Sequence, residues 1–222
     1  MFDKIKEKLD QLAKESAERI SQFDDKVAEK TDWRPLKRGG KNFGSHSLKE
    51  INPNRVEFKS SPGSFLFSSI FMVAGAFLAY SGISGLSVPL TQLFESNEWL
   101  PVLAGVVFFL IGSIFFKKSV RPIVFDKTDG MYWKGKKAPQ VDSSVSNTKK
   151  DAVRLSQVHA LQIISESVSS SNSRSYRSYE LNLILKDASR LNVIDHGKAV
   201  KVREDADKLS AFLGVPVWDL SR

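Results

Sequence analysis

The sequence contains no cysteine and only three histidines among its 222 residues. Without cysteine there can be no disulfide bond, no thiolate nucleophile and no cysteine-ligated metal site. His46, His159 and His196 are far apart in the chain and match none of the spacings that zinc ligands use. We therefore expect neither a metal nor a cofactor, and the lack of cysteine suits a reducing compartment.

A recognisable catalytic motif is missing as well. The pair Asp195-His196 could join one of many serines, but a nucleophilic set needs an activated serine on a strained turn, and no motif marks one. The pair Gly39-Gly40 lacks the spacing and the strand-to-helix context of a phosphate-binding loop. We expect no enzymatic activity, and we expect His196 to cap the turn before the last helix.

The N-terminus shows no secretory signal, because residues 2–30 mix charged and apolar side chains without a continuous apolar stretch. Lysine and arginine are absent from residues 65–116, although the net charge of the chain is +8. Basic residues are concentrated on both sides of that stretch. The distribution of charge is therefore more informative than the mean hydropathy of -0.22.

Two uncharged apolar runs lie within this region, at residues 65–86 and 99–116. At a rise of about 1.5 Å per residue, roughly 20 helical residues cross a hydrocarbon core of about 30 Å. Neither run has the polar stripe that a helix in a soluble protein keeps toward water. The sequence therefore predicts a helical hairpin over residues 65–116 that crosses a membrane twice.

The charges around the hairpin predict its orientation. The loop at residues 87–98 contains Glu95 and Glu98 but no basic residue, whereas Lys59 precedes the first span and Lys117 follows the second. Basic flanks resist translocation and stay in the cytoplasm. We expect a multi-pass protein of the cytoplasmic (inner) membrane with both termini on the cytoplasmic side.

Small residues recur at helical spacing along one side of each span. Such residues allow close backbone approach, which lipid does not otherwise promote. They are predicted either to pack the hairpin or to mediate oligomers, although glycine and serine are also generally tolerated in membrane helices. The predicted helix-packing residues are Ser68, Gly75, Ala79, Gly82, Gly105 and Gly112.

Residues 1–30 predict one amphipathic helix over about residues 2–29. Its apolar positions are Phe2, Ile5, Leu9, Leu12, Ile20, Phe23 and Val27. A helix that lies on a membrane normally has a basic polar face, but this segment is slightly acidic. The pattern favours a short coiled coil that binds a partner or a second copy over a membrane-surface helix, and both remain open.

Residues 31–64 are rich in glycine, proline, asparagine and serine, which indicates a basic juxtamembrane linker. Short strands are expected within it at residues 47–51 and 55–59. Basic side chains here and after the second span are predicted to contact anionic lipid, each contributing about 1 kcal/mol at low salt. They are Arg34, Lys37, Arg38, Lys41, Lys59, Lys117, Lys118, Arg121, Lys134, Lys136 and Lys137.

Residues 117–222 change to an alternating pattern that predicts a β-sheet domain. Strands are expected at residues 121–125, 131–134, 160–168, 179–185 and 190–194. An amphipathic helix over residues 199–213 closes the domain, and Gly214 stands where a helix C-cap is expected. No nucleic-acid motif accompanies the basic charge, so nucleic acid is not expected as a partner.

Three segments carry a family resemblance, at residues 121–133, 179–187 and 212–218. Together with the preceding hairpin, they resemble the pleckstrin-homology-like domains that follow paired transmembrane helices in many small bacterial membrane proteins. The resemblance implies a membrane hairpin plus an α+β domain, with a curved sheet capped by a helix and used for protein or lipid contacts.

The predicted function is a membrane-anchored binding or scaffolding module. Its expected partners are membrane lipids and either a second copy or another membrane or cytoplasmic protein. The alternative is a small oligomeric pore or a transport accessory subunit, built from the small-residue stripes and the acidic loop.

Overall fold

A computed structural model of the chain describes residues 2–36, 39–40, 44, 46–89, 91, 93–138, 152–170 and 173–221. The chain divides into two compact units. One unit, here called the helical unit, is Lys59–Pro122, and the other, the sheet unit, combines Met1–Phe58 with Ile123–Arg222. The sheet unit is therefore built from both ends of the chain.

The helical unit contains two long helices, α3 (Pro62–Ser84) and α5 (Leu100–Ser119), with the short α4 (Leu93–Ser96) between them. Both long helices are free of charge until the last turn of α5, where Lys117 and Lys118 lie. Pro101 lies in the first turn of α5, where backbone N–H groups have no partner within the helix, so proline costs no helical hydrogen bond. The two predicted apolar helices are confirmed.

At the N-terminus, two helices replace the single helix expected over residues 2–29. The first, α1 (Phe2–Ser21), ends before Asp24, which has a positive φ of 47°. The second, α2 (Lys26–Lys30), is capped by Asp25, whose carboxylate accepts the N–H of Val27 at 2.7 Å. Aspartate tolerates the left-handed region and caps helices well, which explains why the helix breaks at this pair.

A five-stranded sheet has the order β1-β2-β3-β4-β5. Its strands are β1 (His46–Asn52), β2 (Arg55–Ser60), β3 (Ile123–Asp126), β4 (Met131–Lys134) and β5 (Ala152–Arg154). β2 pairs antiparallel with β3, and Phe58 lies opposite Ile123. The segment interpreted from the sequence as a juxtamembrane linker thus provides two strands of this sheet.

A four-stranded sheet has the order β8-β7-β6-β9. Its strands are β6 (Val158–Ser170), β7 (Ser173–Leu185), β8 (Arg190–His196) and β9 (Val217–Asp219). β6, β7 and β8 are antiparallel neighbours, and β9 joins the edge of β6 in parallel. Helix α6 (Ala199–Leu213) follows β8 and ends at Gly214, whose φ of 72° favours glycine.

The main hydrophobic core brings both sheets and α6 together. Phe58 and Tyr132 from the first sheet, Leu161 and Leu183 from the second, and Leu209 from α6 are all fully buried in one cluster. A β-sheet region that is closed by a C-terminal helix is therefore confirmed. Because Phe58 precedes the helical unit and Tyr132 follows it, this core needs chain segments from both sides of that unit.

Candidate membrane hairpin and strapped sheet face

The outward surfaces of α3 and α5 are apolar and exposed. Only 11% of each apolar segment, Phe65–Ser84 and Leu100–Ser119, is buried. Val73 and Phe77, for example, are 69% and 70% exposed. A core helix of a soluble protein would be mostly buried, and continuous apolar surfaces of this extent are rare on soluble proteins. Both helices are long and apolar enough to cross a membrane.

The predicted small residues lie where α3 and α5 approach each other. A Cβ atom at Gly75 would collide with the backbone of Phe109, and one at Gly105 with the backbone of Ala79. At Gly112 the nearest atom would be the backbone nitrogen of Met72, at 2.7 Å. These contacts are so close that only glycine fits without a shift of the facing helix.

The other two predicted helix-packing residues are placed as follows. A Cβ atom at Gly82 would lie 2.9 Å from the backbone nitrogen of Val102 on the facing helix. Ser68 is fully buried, and its hydroxyl donates to the carbonyl of Phe65 at 2.9 Å. The glycines and Ala79 therefore serve the packing of one hairpin, which we call the glycine seam.

Changing Gly105 to leucine is expected to separate α3 from α5. The new side chain would force the backbone at Ala79 away, and overpacking of this kind costs about 1–3 kcal/mol. The neighbouring Val106, whose side chain is 43% exposed, offers the matched control Val106→Leu. Thermal unfolding in detergent, followed by circular dichroism, should show a lower midpoint for Gly105→Leu alone. Equal midpoints for the two variants would contradict the glycine seam.

The loop between the two helices is fixed by Glu98. Its carboxylate accepts the N–H of Ser87 at 2.7 Å, the hydroxyl of Ser87 at 2.6 Å and the N–H of Val88 at 3.4 Å. These hydrogen bonds lower the pKa of Glu98 below its ordinary value. The carboxylate is thus held in its charged form, so the loop keeps the acidic character that the sequence indicates.

The predicted lipid contacts fall into several groups. Lys59, Lys117, Lys118, Arg121, Lys136 and Lys137 are exposed. The ammonium of Lys134 instead donates to the carbonyl of Asn192 at 2.6 Å. Arg34 is exposed but pairs with Asp32 at 3.1 Å, which partly compensates its charge. Lys37, Arg38 and Lys41 lie outside the described residues.

On the face of the four-stranded sheet away from the main core lies a segment that we call the strap, residues 31–40, described at 31–36 and 39–40. One end of the strap is apolar. The Trp33 ring stacks on Phe23 with centroids 5.4 Å apart, and it lies 6.2 Å from the Trp218 ring. Ala160 and Ile184 of the sheet are buried in the same cluster. This apolar cluster anchors the N-terminal segment to the sheet.

Polar contacts reinforce the anchor. Asp25 and the Nε2 atom of His159 are 2.7 Å apart, and the His159 ring lies 5.7 Å from Trp218. Although burial opposes ionisation of Asp25, its hydrogen bonds with His159 and Val27 outweigh that effect and lower its pKa. The Arg19 guanidinium also donates to the carbonyl of Leu220 at 2.9 Å. The N-terminal segment and the C-terminal strand are thus fastened together.

The other end of the strap is held through its main chain. The Gln162 amide donates to the carbonyl of Asp32 at 3.2 Å, and Arg190 donates to the carbonyl of Arg34 at 2.7 Å. The N–H of Leu36 donates to the carboxylate of Glu180 at 3.0 Å. All three contacts use backbone atoms of the strap, so they do not depend on its side chains.

Two glycines complete this arrangement. Gly39 and Gly40 donate their N–H groups to one oxygen of Glu166, at 3.1 and 3.4 Å, and the Tyr176 hydroxyl donates to the carbonyl of Gly40 at 2.8 Å. A Cβ atom at Gly40 would overlap the hydroxyl of Ser178 and lie 2.5 Å from its Cβ atom. Only glycine therefore fits above Ser178.

Beneath the strap, the sheet face is polar although it is buried. Gln162 and Asn182 are fully buried, and Glu180 is 3% exposed. The Asn182 amide donates to Gln162 and to Glu180, each at 3.3 Å. The hydroxyl of Ser178 is 1% exposed and has no hydrogen-bond partner among the described residues.

This buried polar face was not predicted from the sequence. Strand alternation assigns Glu180 and Asn182 to the side opposite Leu181, but polar residues at such positions are normally expected to face water. The detectable signal was the neighbouring set of glutamine, asparagine and glutamate on two adjacent strands. Nothing in that pattern reveals that a segment more than a hundred residues earlier covers it.

Two further titratable groups have structural roles. The Nδ1 atom of His196 accepts the N–H of Lys198 at 2.9 Å, so the prediction that His196 caps the turn before the last helix is confirmed. Asp205 on α6 accepts the N–H of Leu48 at 3.2 Å, and burial raises the pKa of its carboxyl. Asp205 thereby fastens edge strand β1 to α6.

No protein-family model matches this chain, and no curated protein matches it. Its function is therefore inferred from the chemistry of the hairpin and of the strapped face.

Proposed function

We propose that the protein is a membrane-anchored binding or scaffolding module without catalysis of its own. The hairpin crosses the cytoplasmic membrane, and the sheet unit binds partners on the cytoplasmic side. The observation that carries the proposal is the exposed apolar surface of α3 and α5, which lies between basic flanking segments. Lipid would cover this surface, and the basic flanks would stay in the cytoplasm.

The chain connectivity supports an even number of crossings. β2 leads into α3, α5 leads into β3, and Phe58 lies opposite Ile123 in the strand pair. Two strands that share a sheet must lie on the same side of a membrane. A chain that crossed once between them could not form this pair, whereas two crossings return it to its starting side.

The fold of the sheet unit supports a pleckstrin-homology-like interpretation. Two sheets enclose one core, and α6 follows the last antiparallel strand and packs into that core. We propose that this region is a pleckstrin-homology-like domain into which the hairpin is inserted between two paired strands. A fold of this kind does not identify a ligand, so partner specificity has to come from its surface.

The pore or transport alternative receives less support from the helices. Gly75, Gly82, Gly105 and Gly112 each contact the facing helix of the same hairpin, so these positions are already occupied within one chain. Neither α3 nor α5 carries a charged residue before Lys117. Ion and proton pathways normally require polar or ionisable groups inside the membrane.

The exposed lysines fit a membrane-proximal position. Lys117 and Lys118 end α5, and Lys136 and Lys137 follow β4, all with exposed side chains. Each would gain about 1 kcal/mol near an anionic leaflet at low ionic strength. This attraction is general and does not require a specific lipid.

Sidedness can be tested with single cysteines, because the chain has none of its own. We expect Glu95→Cys to react with a membrane-impermeant maleimide in intact cells. Val200→Cys, on the exposed surface of α6, should react only after lysis. The reverse pattern would overturn the orientation. Release of the whole chain from membranes by alkaline carbonate, without detergent, would overturn the membrane anchor itself.

A further inference from the structure

We infer that the strapped face is a peptide-binding surface that the strap holds closed, and that its partner ligand is an extended, basic, glycine-containing segment. This inference rests on the proposed function as a binding module, because it identifies the surface and the class of partner. The strap is then an internal copy of the ligand.

The sheet recognises the strap largely through the main chain of the strap. Side chains of the sheet bind three main-chain groups of the strap: the carbonyls of Asp32 and Arg34 and the N–H of Leu36. The Arg34 side chain is 87% exposed, and Leu36 is 40% exposed. A surface that contacts the main chain of an extended segment accepts other segments of similar shape, as in known modes of peptide recognition.

The two ends of the strap are held by different kinds of contact. Trp33, Phe23 and Trp218 form an apolar anchor, whereas the contacts at Leu36, Gly39 and Gly40 are hydrogen bonds. Water can replace such hydrogen bonds when the segment lifts, so their net contribution to stability is modest. The polar end can therefore open locally while the apolar anchor stays in place.

A face from which the strap has lifted would expose carboxylates and a hydroxyl group. Glu166 and Glu180 would lose the N–H groups of the strap that they now accept. The Asn182 amide would still donate to Glu180, and Arg190 lies on the same face, so the two carboxylates exceed the one guanidinium there. The Ser178 hydroxyl lies buried beneath Gly40 without a partner among the described residues, and it leaves room only for glycine above it. A basic segment with a glycine at this position meets both requirements.

The strap itself has this chemistry. Its sequence places Lys37 and Arg38 directly before the two glycines and Lys41 directly after them. The internal segment acts at a high effective concentration, in the millimolar range for a short tether. A partner segment must therefore compete with the strap, so the surface responds only to a ligand that binds well or is held nearby.

The test uses the full-length protein in detergent micelles and a fluorescent peptide with the sequence of residues 31–45. In the variant Gly40→Val, the strap can no longer sit above Ser178, while the sheet face is unchanged. We expect the peptide to bind Gly40→Val about tenfold or more tightly than the wild type, because tethered competition is removed. Fluorescence anisotropy measures both affinities. The matched control Leu36→Ser keeps the N–H and changes only an exposed side chain, so it should behave as the wild type.

Two further measurements distinguish this site from nonspecific attraction. A peptide that carries Val at position 40 has the same charge and should not bind. In the Gly40→Val protein, the added change Glu180→Gln should weaken peptide binding. If Gly40→Val does not fold, Leu36→Pro, which removes the N–H donated to Glu180, takes its place.

The inference is overturned if the peptide binds the opened protein no more tightly than the wild type, or if the valine peptide binds equally well. Neither result bears on the membrane anchor, which the carbonate extraction tests separately. Failure of the peptide experiment would therefore leave the proposed anchoring intact, and loss of anchoring would leave the peptide result interpretable.

Discussion

A chain in which an Asn-Gly turn replaces residues 59–122 is expected to fold and to stay monodisperse in buffer without detergent. The two-residue turn then connects Phe58 to Ile123, its partner in the antiparallel β2–β3 pair. Asn-Gly favours the tight turns that connect such strands. The exposed apolar surface of α3 and α5 is removed, while the main core keeps all of its strands and α6. Size-exclusion chromatography and circular dichroism provide the readout.

The matched control is a truncated chain that begins at residue 117. It contains the whole region that sequence analysis assigned to the cytoplasmic domain, but it lacks β1, β2 and the strap. Val56 and Phe58, which are 5% and 0% exposed, would be missing from the core. We expect this truncated chain to aggregate or remain unfolded. A soluble, cooperatively folding truncation would contradict the interlocked sheet unit.

Changing Trp218 to alanine is expected to cost about 3–5 kcal/mol of stability, the usual range for truncation of a buried large aromatic residue. Trp218 is 2% exposed and lies between the rings of Phe23, Trp33 and His159. Removal of the Trp218 side chain weakens the packing of β9 on the sheet and the anchor of the N-terminal segment. Urea unfolding of the hairpin-free chain, followed by circular dichroism, measures the loss.

The control for this experiment is Val200→Ala, at a residue of α6 that is 65% exposed. Surface substitutions away from special features usually change stability by less than about 0.5 kcal/mol. If Trp218→Ala behaved like Val200→Ala, the apolar cluster could not be the anchor of the strap. The inference about a polar end that opens while the apolar end stays bound would then lose its basis.

Sequence patterns identified the apolar helices, α6 and several strands, but not the partners of those strands. The apolar helices can be predicted because uncharged apolar runs of this length are typical of membrane-spanning helices. Helix α6 can be predicted from the spacing of its apolar residues and from Gly214 at its end. The strand at residues 55–59 was also expected. Its pairing with β3 was not, because the helical unit separates the two in sequence and alternation identifies a strand without its neighbour.

The break in the N-terminal helix was missed for a different reason, and the predicted association with a partner stays a prediction. Its apolar positions at Ile20, Phe23 and Val27 continue a helical spacing, and this favoured one long helix that associates with a partner. In the structure, the helix is interrupted at Asp24 and Asp25, and these apolar residues pack on Trp33 and the sheet. Periodicity alone does not distinguish a helix that binds another chain from one that folds back on its own domain.

The insertion of the hairpin between β2 and β3 also sets an order of events during synthesis. β2 leaves the ribosome before the hairpin, yet its partner Ile123 follows the hairpin by only a few residues. Val56 and Phe58 must therefore stay uncovered until the hairpin has been made. If the hairpin crosses the membrane as proposed, a chain that inserted only one helix would leave β2 and β3 on opposite sides of the membrane. The five-stranded sheet could then form only after both helices had inserted. A chain with a failed insertion would keep its apolar strands exposed, and cellular proteases could degrade it.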